Sequence, residues 1–278
     1  MINLKDKKKG VFSLKLYLLI VFALSWPFQF FIFFFPDITW APKLFLVSMI
    51  MVSVGTFIAG RYFFKDTFRD AGWSWGKPKH YILALIFPII IWVIPTLLGS
   101  VLGVQLIPTE HSYSNMLTLF LLSFVITLAP AFGEEFGWRG YLLPRLLQRH
   151  SVKKSLLIQS FIWWFWHIPV LIYSATSAPL IESSVLTSSI LVLAISIIPS
   201  MMHAIIFSYI WSTTSSLAVA TFYHASFDEI RDTTESTLGF GPFTQLWQML
   251  VITIIGAIIF LKGKWKRLYN IKENLTSK

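Results

Sequence analysis

Apolar runs of about twenty residues recur along the whole chain, separated only by short polar clusters. A helix needs about 20 apolar residues to cross the hydrocarbon core of a bilayer. Runs at about 13–35, 41–63, 81–104, 114–133, 155–174, 186–211, 215–228 and 243–262 meet or approach that length. They predict an all-α fold, a polytopic transmembrane helix bundle of about eight spans. Composition agrees: 13% of the 278 residues are charged, against about 25% in a soluble domain. The seventh run is short for a full crossing and suits a helix buried inside the bundle. The basic opening MINLKDKKKG precedes an apolar run too long for a signal peptide, with no small-residue cleavage site, so that run reads as a retained span.

The basic residues orient the bundle. Lys5, Lys7, Lys8 and Lys9 precede the first run, and Arg61, Lys65, Arg69, Lys77 and Lys79 follow the second. Arg145, Arg149, Lys153 and Lys154 follow the fourth, and Lys262, Lys264, Lys266 and Arg267 lie in the tail. Segments 36–40, 105–113 and 175–185 contain no Lys or Arg. Basic loops stay in the cytoplasm, so this alternation predicts both termini there and a multi-pass protein of the cell membrane. The net charge of +10 is then a matter of topology, and nucleic acid is not an expected partner. The absence of cysteine excludes a thiol nucleophile, thiolate metal ligands and disulfides. With no internal repeat and no linker, 1–278 reads as one integral membrane domain.

An ionisable side chain inside a span is costly and points to a functional site with a partner to be named. Four places qualify: Glu134, Glu135 and Arg139 in PAFGEEFGWRGYLLP, His167 in FIWWFWHIP, His203 in SMMHAIIF, and His224 with Asp228 in FYHASFD. Glu135 and Arg139 stand i,i+4 with the acid first, the favoured ion-pair orientation on a helix. Glu134 points about 100° away from Glu135, so it is the less well paired acid and the one free for chemistry. Pro130 and Gly133 are expected to bend this helix, and Pro144 to interrupt it. His224 and Asp228 share a helix face, and Trp163, four residues before His167, packs that ring. At about 1.5 Å per residue, these groups lie roughly 14–22 Å from the nearest basic or cytoplasmic turn. They are therefore expected to meet at one level, nearer the cytoplasm, in a cavity opening to that side. His80, His111 and His150 fall in loops.

Three of these motifs, in this order, resemble the CAAX protease and bacteriocin-processing family (Abi, CPBP), which includes the prenyl-protein type II endopeptidase. EEFGWR is similar to its Glu-Glu-x-x-x-Arg. WWFWH is similar to Phe-x-x-x-His, with Trp163 in the Phe position. HASFD is similar to His-x-x-x-Asn, with Asp228 last. The resemblance covers about 114–231 as the catalytic core, and 1–112 carries no recognised motif. It implies an intramembrane glutamate endopeptidase acting on a peptide or membrane-anchored protein. Glu134 with His167 would activate water, His224 and Asp228 would stabilise the oxyanion, and Glu135, Arg139 and Trp163 would support them. An ionised carboxylate cannot donate to an oxyanion. Asp228 must either carry a proton or orient His224 instead.

No cofactor is expected. A zinc ion on Glu134, His167 and His224 is the chemical alternative, although the chain lacks His-Glu-x-x-His. Gly-x-Ser-x-Gly is also missing. The reading from a different class is a non-catalytic immunity or scaffold protein, or a small proton-coupled transporter.

Overall fold

A computed structural model describes residues 12–35, 38, 40–104, 116–177, 180–181 and 184–276. Lys5, Lys7, Lys8, Lys9, His111, all of 105–113 and parts of 36–40 and 175–185 lie outside the described residues. Among the described residues every regular element is helical. Six stretches among the described residues are long and apolar enough to cross a membrane: Leu14–Phe34, Leu44–Phe63, Pro78–Val101, Met116–Leu147, Val185–Thr214 and Pro242–Lys262. The first is α1, and α2 covers Leu44–Ile58 with a π-helical extension, Ala59–Phe63. Pro78–Val101 is α3. The fourth stretch comprises α4 (Met116–Glu135), a π-helical segment (Phe136–Leu142) and α5 (Leu143–Leu147). A broken pair follows, α6 (Val152–Trp166) and α7 (Ile168–Ser177), bent by 45°. Then come α8 (Val185–Thr214), α9 (Leu217–Leu238), α10 (Pro242–Lys262) and a tail helix α11 (Lys266–Thr276).

The seventh expected span is longer than 215–228 and more polar than a lipid-facing helix. Beyond Phe227, α9 carries Asp228, Glu229, Arg231, Asp232 and Glu235. Hydropathy ends at Asp228, but Glu and Arg are good helix formers, so the helix runs on to the Gly239 cap. Much of α9 is buried, packed against both α3 and α4, which is the interior position expected of it.

Helix packing closes into a ring, α1–α2–α4–α9–α3–α10–α8–α7–α1. The π-helical segment touches α2, α6, α8 and α9, and every residue from Gly133 to Leu147 is buried. This segment is buried all round, so it is central. Neither the expected bend nor the expected break divides it, and Met116–Leu147 is one helical stretch. Pro144 stands in the first turn of α5, where its missing N–H costs little. The wider turn before it is bonded from Leu143 N to Trp138 O. Gly133 serves proximity: a Cβ there would lie 2.4 Å from the Met49 carbonyl oxygen, and one on Gly137 would lie 2.4 Å from Val52 Cγ1. This small-x-x-x-small spacing lets two membrane helices approach closely. Tyr17 then donates to the Gly137 carbonyl at 3.0 Å and sits 2.9 Å from Thr56 Oγ1, tying α1 and α2 to the centre.

The loop 64–77 is strapped across the Lys/Arg-rich end. Arg145 pairs with Asp66 and Asp70. Trp211 donates to the Ala71 carbonyl at 2.7 Å, and Leu217 N to the Gly72 carbonyl at 2.8 Å. Burial raises the Asp66 carboxyl, but the Arg145 guanidinium and the N–H groups of Phe68 and Thr67 outweigh it and hold it below its ordinary value. The strap is therefore charged at neutral pH.

The Gly133 contact sets a test of the packing. Gly133→Ala forces α2 and α4 apart against backbone, an overpacking worth about 1–3 kcal/mol. Thermal unfolding of the detergent-purified protein should show a lower Tm than wild type.

Candidate active site

The central helix, α6 and α9 each contribute to one buried cluster. Glu134 and Glu135 close α4 and are fully buried. Adjacent residues on a helix diverge by about 100°, so the two carboxylates face different partners. Glu134 Oε2 accepts from Trp163 Nε1 at 2.7 Å and from Trp138 Nε1 at 3.2 Å. Its Oε1 has no hydrogen-bond partner among the described residues. Two indoles thus pin one oxygen and leave the other open.

Glu135 does different work. Its Oε1 accepts from Arg139 Nη1 at 2.8 Å and lies 2.9 Å from His224 Nδ1. One carboxylate oxygen therefore joins a cation on its own helix to an imidazole on α9. The Arg139 guanidinium is also 4.4 Å from the Phe207 ring centroid and 5.3 Å from that of Trp163, within cation–π range.

His167 occupies the break between α6 and α7. Pro169 has no N–H to continue the ladder, and His167 N bonds back only three residues, to Trp164 O at 3.0 Å. The Trp166 carbonyl at this break accepts from Trp26 at 3.1 Å. His167 Nδ1 lies 2.7 Å from the Trp163 carbonyl. A carbonyl only accepts, so Nδ1 carries the proton there, and in a neutral ring Nε2 is the free acceptor. Among the described residues no hydrogen bond joins Glu134 to His167 directly. Trp163 links them, through its indole on one side and its carbonyl on the other.

The His224 ring is anchored at Nδ1, while its Nε2 faces Asp228 Oδ2 at 3.5 Å. Asp228 in turn approaches Arg231 Nη1 at 3.3 Å. His203 Nε2 is engaged with Tyr223 OH at 3.0 Å, and its ring packs on Phe227 and Phe207 at 4.2 and 4.5 Å between centroids. Side chains from α4, α6, α8 and α9 thus lie together. Counted along the helices, His224 lies about 12 Å from the α8–α9 turn and Glu134 about 20 Å from the end of α5. A cavity of about 260 Å³ between α6, α8 and α10, lined by Ser196, Ser200 and Gln248 among others, touches the cluster at Trp163 and His203. It runs along the earlier half of α8, and two further cavities lie at the Lys/Arg-rich end, one of about 560 Å³ beside loop 64–77, lined by Trp73, Trp75 and Phe222, and one of about 410 Å³ lined by His80, Thr213 and Tyr223.

Two participants escape sequence reasoning. Trp163 reads as packing for His167, yet its indole N–H reaches Glu134, a contact between helices that spacing does not encode. Arg231 falls beyond a span ended at 228. Its signal was the i,i+3 spacing to Asp228, usable only with α9 extended. Among the described residues, no three His, Asp or Glu side chains are grouped as metal ligands.

The cluster thus holds one half-free carboxylate, one imidazole acceptor and one anchored imidazole inside a helical membrane protein. Residues 115–230 match the family model described as type II CAAX prenyl endopeptidase, Rce1-like, a peptidase family. The chain is also similar to the CAAX prenyl protease 2 of Methanococcus maripaludis, 40% identical over 48 residues. That alignment spans 17% of this chain and 17% of the relative. The resemblance seen in the three motifs therefore holds over the segment that builds the cluster.

Removing the Glu135 charge isolates its structural share. Glu135→Gln leaves Arg139 buried without its counter-ion, and breaking such a pair costs about 3–5 kcal/mol. The Tm of the purified protein should fall clearly, and by more than for Glu134→Gln, whose carboxylate has no cation bonded to it.

Proposed function

We propose that this chain is an intramembrane endopeptidase of the cell membrane that uses a glutamate-activated water, without a metal ion or other cofactor. The observation that carries this reading is Glu134. It is held by one oxygen on Trp163 and Trp138, with the other unpartnered. Glu134 Oε1, with the His167 Nε2 acceptor, takes a proton from water, and the oxygen adds to the scissile carbonyl carbon. His224 acts as an imidazolium whose Nδ1–H donates to Glu135, and the tetrahedral oxyanion accepts from its Nε2–H, which the 3.5 Å separation from Asp228 leaves loosely held. Collapse breaks the C–N bond, and the proton held by Glu134 or His167 passes to the leaving amine. Glu135 orients His224 much as a carboxylate orients a catalytic imidazole, and Arg139 balances its charge. Trp163 positions both Glu134 and His167.

The substrate class is a peptide or membrane-anchored protein segment, cut in the cytoplasmic half of the bilayer. The relative's name, a CAAX prenyl protease, makes a prenylated C-terminus the first chemistry to try. A peptide pheromone or bacteriocin leader is the second. The cavity between α6, α8 and α10 provides a lateral way in for such a segment.

The test uses protein in proteoliposomes, a prenylated CAAX peptide, and peptidomics of cells carrying the native or Glu134→Gln protein. Glu134→Gln keeps the shape and removes the base, so cleavage should fall by about 10² or more. Equal products from both proteins would leave the non-catalytic scaffold standing. Chelation provides a separate check. Activity should survive dialysis against a strong chelator, in protein containing well under one zinc per chain. Loss that added zinc restores would favour the metal-bound version of this site.

A further inference from the structure

His224 meets a carboxylate at each ring nitrogen, and the two contacts differ. Glu135 holds Nδ1 at 2.9 Å, whereas Asp228 Oδ2 stands 3.5 Å from Nε2. An N–H···O bond is ordinarily 2.7–3.2 Å. A carboxylate beside Nε2 is awkward for a centre that builds negative charge there. It competes for the same N–H, and it repels an oxyanion a few ångströms away.

Asp228 has a second attachment on the side away from His224. Its Oδ1 lies 3.3 Å from Nη1 of Arg231, three residues further along the same helix face. Arg231 is itself fixed, because its Nε donates to Asp232 Oδ1 at 2.7 Å. Glu229, the neighbouring acid, is already engaged with Thr127 across the α4–α9 contact. Arg231 also lies just past the matched segment 115–230. The arginine is therefore the cation positioned to decide where the Asp228 carboxylate sits.

We propose that Arg231 is a positioning residue. It draws Asp228 toward itself and offsets its charge, so that the carboxylate stays off His224 Nε2 and that N–H is left for the oxyanion. The last step rests on the protease reading, while the arrangement of Arg231, Asp228 and His224 does not.

Two measurements separate these parts. In ¹⁵N-histidine-labelled protein, the His224 Nε2–H resonance is assigned by its loss in His224→Gln. Arg231→Gln should move it downfield as Asp228 closes onto the ring, and Arg231→Gln/Asp228→Asn should cancel that movement. A resonance unmoved by Arg231→Gln overturns the proposal. In proteoliposomes, with a fluorogenic prenylated CAAX peptide as the probe, Arg231→Gln should lower kcat at least about tenfold while KM stays within about twofold. Arg231→Lys, which keeps the charge, should retain most of kcat, and it also serves if the Gln variant fails to fold. Made on top of Asp228→Asn, Arg231→Gln should cost less than about threefold relative to Asp228→Asn alone. An equal cost in both backgrounds would mean that Arg231 does not act through Asp228. Should wild type cleave no better than Glu134→Gln, the protease reading fails, and the resonance alone then decides the arrangement.

Discussion

The Glu135 carboxylate is the joint on which the interior of this bundle depends. One oxygen takes both the Arg139 guanidinium on its own helix and the His224 imidazole on α9. Buried charge in a membrane protein persists only where it is paired and hydrogen-bonded. The segment from Gly133 to Leu147 can therefore be buried on every side while carrying two acids and an arginine. Aromatic rings complete the shell: Phe207 and Trp163 face the guanidinium. Once this joint is made, the register of α9 against α4 is set, and the positions of Asp228 and Arg231 follow from the helical repeat.

Local backbone irregularity does much of the placing. The π-helical segment after Glu135 changes the phase of the central helix where four neighbours touch it, and such insertions are common at functional sites. The break at His167, caused by Pro169, turns the ring out of the helical series and gives its Nδ1 a backbone partner. Both distortions are stabilised by side chains from α1: Tyr17 bonds the Gly137 carbonyl and Trp26 the Trp166 carbonyl. The first helix has no recognised motif, yet it supports both irregular segments of the site.

Much of this was legible beforehand, for definite reasons. Hydropathy marks where helices lie, because lipid penalises polar side chains in the same way along every span. Helical periodicity pairs Glu135 with Arg139 and puts His224 beside Asp228, because both are contacts within one helix. Contacts between helices were not legible. Trp163 looked like packing for His167 until its indole was seen to hold Glu134. Gly133 looked like a hinge, whereas the neighbouring α2 makes it a point of close approach. Arg231 lies past the apolar run 215–228, because hydropathy, which marks lipid-facing helices, says little about where a buried and amphipathic one ends.

By itself, then, the sequence determined a helical membrane bundle, the identity of its ionisable residues and the pairings between residues three or four apart. These are consequences of local geometry and of transfer from water to lipid, and neither needs knowledge of a neighbour. Only the tertiary structure decided that the Glu135 oxygen bonded to Arg139 also takes His224, and that two indoles hold one oxygen of Glu134 and leave the other free. It also decided that loop 64–77 lies across the Lys/Arg-rich end, held by Arg145, Trp211 and Leu217. The reason is that a side chain's partner across a helix interface depends on the rotation and depth of both helices. Those are fixed jointly by packing, by the close approach at Gly133 and by the shared Glu135 oxygen.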